Sequence, residues 1–131
     1  MQATTASAIS LNVRDVEASR DFFTRHLGFA EKMAADGFVS MAREDVGFHL
    51  IFLRQGLKSL QPESLKDTHA DGLILAFVVG DVDAEEARIR AEGVSITTPL
   101  QTEPWGERFF QVTDPNGLIV QFVQWMTAPE A

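Results

Sequence analysis

The side chains best suited to chemistry lie in two stretches, GFHLIFLRQG around His49 and EPWGERFFQVTDPNGLIVQFVQW, which carries Trp105, Glu107, Arg108 and Gln121. His49 alternates in phase with Ile51 and Leu53, while Phe48, Leu50 and Phe52 point the other way, so its imidazole stands on one face of a strand. There it is either a hydrogen-bond partner or acid-base group for a ligand, or a satisfied strand histidine. Gln121 both donates and accepts, which suits a ligand carbonyl or amide, or equally a polar network on the sheet. Trp105 lies between Pro104 and Gly106; its indole either stacks on a planar molecule or closes the end of a small sheet. Alternation puts Arg108, Phe110 and Val112 on one face of the next strand and Glu107, Phe109 and Gln111 on the other, and Phe110, with Arg108, is assigned to the ligand face. His26 and His69, near a helix end and in a polar stretch, read as structural or surface residues.

These groups need a frame, and composition bounds it. A chain of 131 residues, 45% hydrophobic and 23% charged, has the make-up of an ordinary soluble single domain able to bury roughly two thirds of its unfolded surface. Cysteine is absent, which excludes disulfides and thiolate metal or redox sites. The formal charge is −8, from 19 acidic and 11 basic residues. Such a surface repels phosphate backbones, so nucleic acid is not an expected partner; it favours solubility first and a cationic small molecule second. The opening MQATTASA lacks the basic start and apolar core of a secretory signal, and no run approaches the roughly 18 apolar residues that span a membrane. A cytoplasmic location with no membrane partner is the expectation.

The positioning elements follow from periodicity. AISLNVRD alternates as a half-buried strand, and Asp15 caps a helix, VEASRDFFTRHLG, with Phe22, Phe23 and Leu27 on its apolar stripe and Gly28 as its stop. AEKMAA and GFVSMARE read as strands joined at Asp36–Gly37, and GFHLIFLRQG as a fourth. Residues 55–71 are polar, hold Pro62 and read as a linker with a short helical turn. LILAFVVGD opens a second round. DVDAEEARIRAEG is an amphipathic helix with Val82, Ala87 and Ile89 as buried candidates, and VSITTPLQ, RFFQVTD and LIVQFVQW are strands, the last two joined by the DPNG turn.

The chain repeats itself: VRDVEAS at Val13–Ser19 matches VGDVDAE at Val79–Glu85, 66 residues on, and GFHLIFL at Gly47 matches GLIVQFV at Gly117, 70 residues on. The predicted fold is therefore α+β, a single domain over residues 1–131 built from two βαβββ modules, 7–54 and 72–125, around the linker 55–71. The modules are expected to form a curved mixed sheet and a ligand cleft, because each sheet alone leaves one face uncovered. Phe38 is then either a second aromatic at the cleft rim or a core residue.

With LNVRDVEASRDFFTRHLGF, LAFVVGDVDAEEARIRAEGV and PWGERFFQVTDPNGLIVQFVQ in this order, the chain resembles the vicinal oxygen chelate superfamily, which includes glyoxalases, bleomycin resistance proteins and extradiol dioxygenases. In members that use a metal, the resemblance places the ligands, chiefly His and Glu, on the first and last strand of each module. The matching positions here are Ala8, Ile74, Gln121 and, through the internal repeat, Ile51. Alanine and isoleucine donate nothing and a neutral amide binds weakly. No metal, cofactor or catalytic residue is therefore assigned. The resemblance implies instead a homodimer that binds or sequesters a small, partly aromatic natural product or antibiotic without a metal, with Ser10, Asn12, Phe38, His49, Trp105, Arg108, Phe110 and Gln121 as contacts. The competing expectation is a glyoxalase- or dioxygenase-like lyase, isomerase or oxygenase with an altered metal site or with His49 as its acid-base group.

Overall fold

The computed structural model describes residues 1–126. They fall into two compact units, Met1–Asp71 and the part that begins at Gly72. The first runs β1 (Ala8–Val13), α1 (Val16–Leu27), β2 (Ala30–Ala35), β3 (Phe38–Ala42) and β4 (His49–Arg54), followed by a 3₁₀ turn at Glu63–Leu65. The second runs β5 (Ile74–Val78), α2 (Val82–Ala91), β6 (Ile96–Thr102), β7 (Glu107–Thr113) and β8 (Ile119–Trp125). Each unit builds its own four-stranded mixed sheet, in the orders β1-β4-β3-β2 and β5-β8-β7-β6. The repeat visible in the sequence is thus a repeat of architecture.

In the first unit the helix begins just after Asp15, whose backbone is extended and whose side chain accepts the Ala18 amide at 3.1 Å. This satisfies one of the donors that every helix start leaves open. The helix ends at Gly28, whose φ of 70° suits a residue without Cβ; a Cβ there would also stand 3.3 Å from the Arg43 guanidinium, which donates to the Leu27 carbonyl. Between these caps the helix buries Val16, Ser19, Phe22, Phe23 and Leu27. Phe23 meets Phe52 at 5.2 Å and Phe29 at 5.6 Å between ring centres, and with Val39, Met41 and Leu50 these rings make the core between helix and sheet.

The second unit is built on the same rules. Asp81 caps α2 through the Ala84 amide at 3.0 Å, and Val82 and Ile89 are buried. Ala87, expected beside them, is exposed: at about 100° per residue it lies roughly 140° around the helix from Val82 and cannot share its stripe. Phe110 stacks on Phe122 at 5.1 Å over the core formed with Val112, Val120 and Leu75. The DPNG turn is held from within, since Oδ1 of the buried Asp114 accepts the amides of Asn116 and Leu118, both at 2.9 Å. β6 is an edge strand with two register shifts against β7, a position that tolerates Pro99. Among the described residues no helix is long and apolar enough to cross a membrane.

Candidate ligand-binding faces

One face of each sheet is covered by its helix; the other, called the open face below, is not, and its side chains range from exposed to buried. In the second unit the covered face is identified by its contacts: the Val82 amide donates to Gln124 Oε1 at 3.0 Å, and Arg108 forks onto Asp83 at 3.0 and 2.7 Å. Side chains alternate along a strand, so Glu107, Phe109, Gln111 and Thr113 of β7, Ile119, Gln121 and Val123 of β8, and Ile74, Ala76 and Val78 of β5 take the open face. Cross-strand register sets Gln111 and Ala76 against Gln121, Phe109 and Val78 against Val123, and Glu107 against Trp125.

A chain of side-chain hydrogen bonds runs over this face. Thr98 Oγ1 donates to Gln111 Oε1 at 2.7 Å, Gln111 Nε2 to Gln121 Oε1 at 2.8 Å, and Gln121 Nε2 to Glu107 Oε1 at 3.2 Å. The Trp105 indole N–H closes the row on Glu107 Oε2 at 3.3 Å. Its position depends on Gly106, a buried residue with φ of 94°, which turns the backbone in a way a side chain would resist and leaves Trp105 62% exposed. Gln121 therefore joins the polar network that was one of its two readings, and the network leads to an exposed aromatic.

Arg108 and Phe110, assigned from sequence to the ligand face, lie on the opposite, helix-covered one. Phe110 is wholly buried, and Arg108 ties β7 to the start of α2 through Asp83 while also donating to Thr102 Oγ1 at 2.9 Å. The Arg108 guanidinium, chiefly through its hydrogen bonds to Asp83, holds that carboxyl below its ordinary value, and Asp83 in turn raises the pKa of Arg108. Alternation separates the two faces of β7 as expected, but α2 covers the face that carries Arg108 and Phe110. A clue was present: Glu107, Phe109, Gln111 and Thr113 make a mixed polar face, whereas Phe110 and Val112 make the apolar one a core requires. Glu107, Phe109, Gln111 and Trp125 are the residues this missed.

The first unit brings its expected residues to one face, with one exception in role. Phe38 pairs with Leu53, Ser40 with Ile51, Ser10 with Ile51 and Ala8 with His49, all opposite the buried Val39, Leu50 and Phe52. The equivalent places in the two sheets are Phe38 and Phe109, whose partners are Leu53 and Val123. Each repeat thus contributes one half-buried phenylalanine to its open face. His49 is exposed at the start of β4. Asn12 serves the linker instead: its Nδ2 donates to the Leu65 carbonyl at 2.8 Å, and its own carbonyl accepts the Ala70 amide at 2.7 Å. His26 packs edge-on against Phe22 at 5.2 Å, and His69 Nε2 is buried without a hydrogen-bond partner among the described residues.

The four positions matching the family's metal ligands do not fit a metal. Ala8, Ile51 and Ile74 have no donor atom, and the one oxygen available, Gln121 Oε1, already accepts Gln111. Among the described residues no three His, Cys, Asp or Glu side chains gather in a way that would hold an ion.

Two βαβββ units, each with a helix on one sheet face and a polar-aromatic surface on the other, define the class. The chain belongs to the Glyoxalase/Bleomycin resistance protein/Dioxygenase superfamily, whose model matches residues 5–122. A bleomycin resistance protein of Geobacillus stearothermophilus is 29% identical over 122 residues, 88% of this chain and 92% of that protein. An uncharacterized protein of Mycobacterium bovis is 34% identical over 82 residues, 63% of this chain and 49% of that protein, so the chain spans about half the length of this relative. Among solved structures, a glyoxalase/bleomycin resistance protein/dioxygenase from Nocardioides superimposes with a TM-score of 0.78 at 21% identity, covering 99% of this chain and 89% of the other. TnmS3, an antibiotic binding protein from Streptomyces sp. CB03234, gives 0.68 at 24% identity, covering 95% and 98%. At these identities the structural likeness concerns the fold.

Proposed function

We propose that this protein binds and sequesters a small, partly aromatic natural product or antibiotic without using a metal. The observation that carries the reading is the state of Gln121. Where the metal-using relatives implied by the sequence resemblance supply a carboxylate, this chain has an amide whose oxygen and nitrogen are both committed, to Gln111 and Glu107. Around it lie the features of a small-molecule surface, namely apolar strand residues, a few oriented polar groups and exposed aromatics. Each sheet offers contacts of its own: Phe38, Ser10 and His49 on the first, and Trp105, Phe109 and Gln121 on the second. The bleomycin resistance and antibiotic-binding relatives support the same class of function.

The protein acts in this reading as a cytoplasmic homodimer. The support is the edge strand β5, which exposes Ile74 at 55% and Val78 at 67%, apolar area that a second copy would withdraw from water.

Sequestration requires stoichiometric binding and release of an unchanged ligand. The test is to titrate the protein calorimetrically with bleomycin and a panel of planar antibiotics, then denature the complexes and weigh the released ligand by mass spectrometry. Binding near one ligand per site with unaltered mass is expected. A chemically changed ligand, or no binding across the panel, overturns the reading.

A further inference from the structure

Glu107 and Arg108 are adjacent in sequence but do not neutralise each other, because strand alternation sends them to opposite faces. Arg108 spends its charge on Asp83. Glu107 is left on the open face with two neutral donors, Gln121 Nε2 on one oxygen and Trp105 Nε1 on the other, and no Lys or Arg pairs with it among the described residues. A carboxylate offers about four acceptor positions, so two hydrogen bonds fix its orientation and leave it able to accept more. Its surroundings are aromatic: Trp105 is bonded to it, Trp125 is its cross-strand partner at 37% exposure, and Phe109 follows two residues along the same face.

An oriented carboxylate without a counter-charge, set beside two exposed indoles and a half-buried phenyl ring, is complementary to an aromatic cation. The rings stack on the planar part and attract its charge through their faces, and the carboxylate accepts its N–H groups. We propose that Glu107 is the charge-selecting group of this face, and that the ligand class is a planar aromatic molecule bearing a protonated nitrogen. The inference rests on the reading of the open face as a ligand surface and adds the charge of what it holds. It also gives the Gln121 network a purpose, since Gln111 orients Gln121 and Gln121 orients Glu107.

The test uses three probes of one shape: 9-aminoacridine, a cation at neutral pH; acridine, neutral; and acridine-9-carboxylate, an anion. Dissociation constants are measured by probe fluorescence for the natural protein, Glu107→Gln and Glu103→Gln, the last a nearby acidic control. The cation is expected to bind about tenfold more tightly than acridine, with the anion weakest. Glu107→Gln, which keeps one acceptor oxygen for either Trp105 or Gln121, should bring the affinity for the cation down to that for acridine, and Glu103→Gln should leave the preference intact. In the natural protein alone, added salt should weaken the cation and not acridine. Equal binding of cation and acridine, or a preference that survives Glu107→Gln, overturns the charge assignment while leaving the ligand surface intact. Absence of binding by all three probes overturns the surface itself and the inference with it.

Discussion

Gln121 donates its amide to Glu107 Oε1 at 3.2 Å while its own oxygen accepts Gln111 at 2.8 Å, so a single neutral side chain couples two neighbours across the middle of the second sheet. Gln121→Leu breaks both bonds and leaves part-buried polar groups unmatched. A loss of about 1–3 kcal/mol is expected from chemical denaturation. The same variant should weaken binding of planar cations, because Glu107 then keeps only the Trp105 anchor.

Phe109 and Phe110 are neighbours with opposite duties. Phe110→Ala removes a fully buried ring stacked on Phe122 and should cost about 3–5 kcal/mol of unfolding free energy. Phe109→Ala should cost about 1 kcal/mol yet weaken aromatic probes several-fold. Denaturation and probe titration of the two variants together check the assignment of faces; the reverse pattern would contradict it.

The Arg108–Asp83 pair makes a pH-dependent contribution of known sign. Asp83 is held below its ordinary value of 3.8 by Arg108, so the stability it adds is fully present above that value and is lost as pH falls through the folded-state pKa. Arg108→Gln should move the Asp83 midpoint upward in a carboxyl-detected NMR titration and make the acid-side fall in stability shallower. Ligand binding should not change, since this pair lies on the helix-covered face.

Asn12 separates a linker role from a ligand role. Its amide holds Leu65 O, beside Lys66, so Asn12→Ala should speed tryptic cleavage at Lys66 about fivefold, the equivalent of one hydrogen bond. Probe affinity should stay within about twofold. Weakened binding with unchanged cleavage would return Asn12 to the ligand surface.

Much of this architecture was legible because its signals are local. Asp15 and Asp81 announce helix starts, Gly28 a helix end, and the 66-residue echo of VRDVEAS the second module. Alternation likewise divided β7 into two faces. Alternation alone does not choose between them, because Phe109 and Phe110 are chemically identical; the choice lies in their face-mates, Glu107, Gln111 and Thr113 against Val112, and is fixed by the docking of α2 through Arg108 and Asp83. Asn12 misled for a related reason: its partner Leu65 lies 53 residues away in a stretch with no periodicity. Gln121 was legible as an amide in place of a carboxylate, but its ties to Gln111 and Glu107 are cross-strand contacts that required the hairpin register.

Binding without a metal is decided by calorimetric titration of 9-aminoacridine into chelator-treated protein and into the same protein preincubated with Fe²⁺, Mn²⁺, Ni²⁺ or Zn²⁺. The same affinity and stoichiometry are expected in every titration, with no stoichiometric uptake of metal by elemental analysis. Binding that appears only with one of these ions, together with about one equivalent of that ion retained per chain, would contradict it.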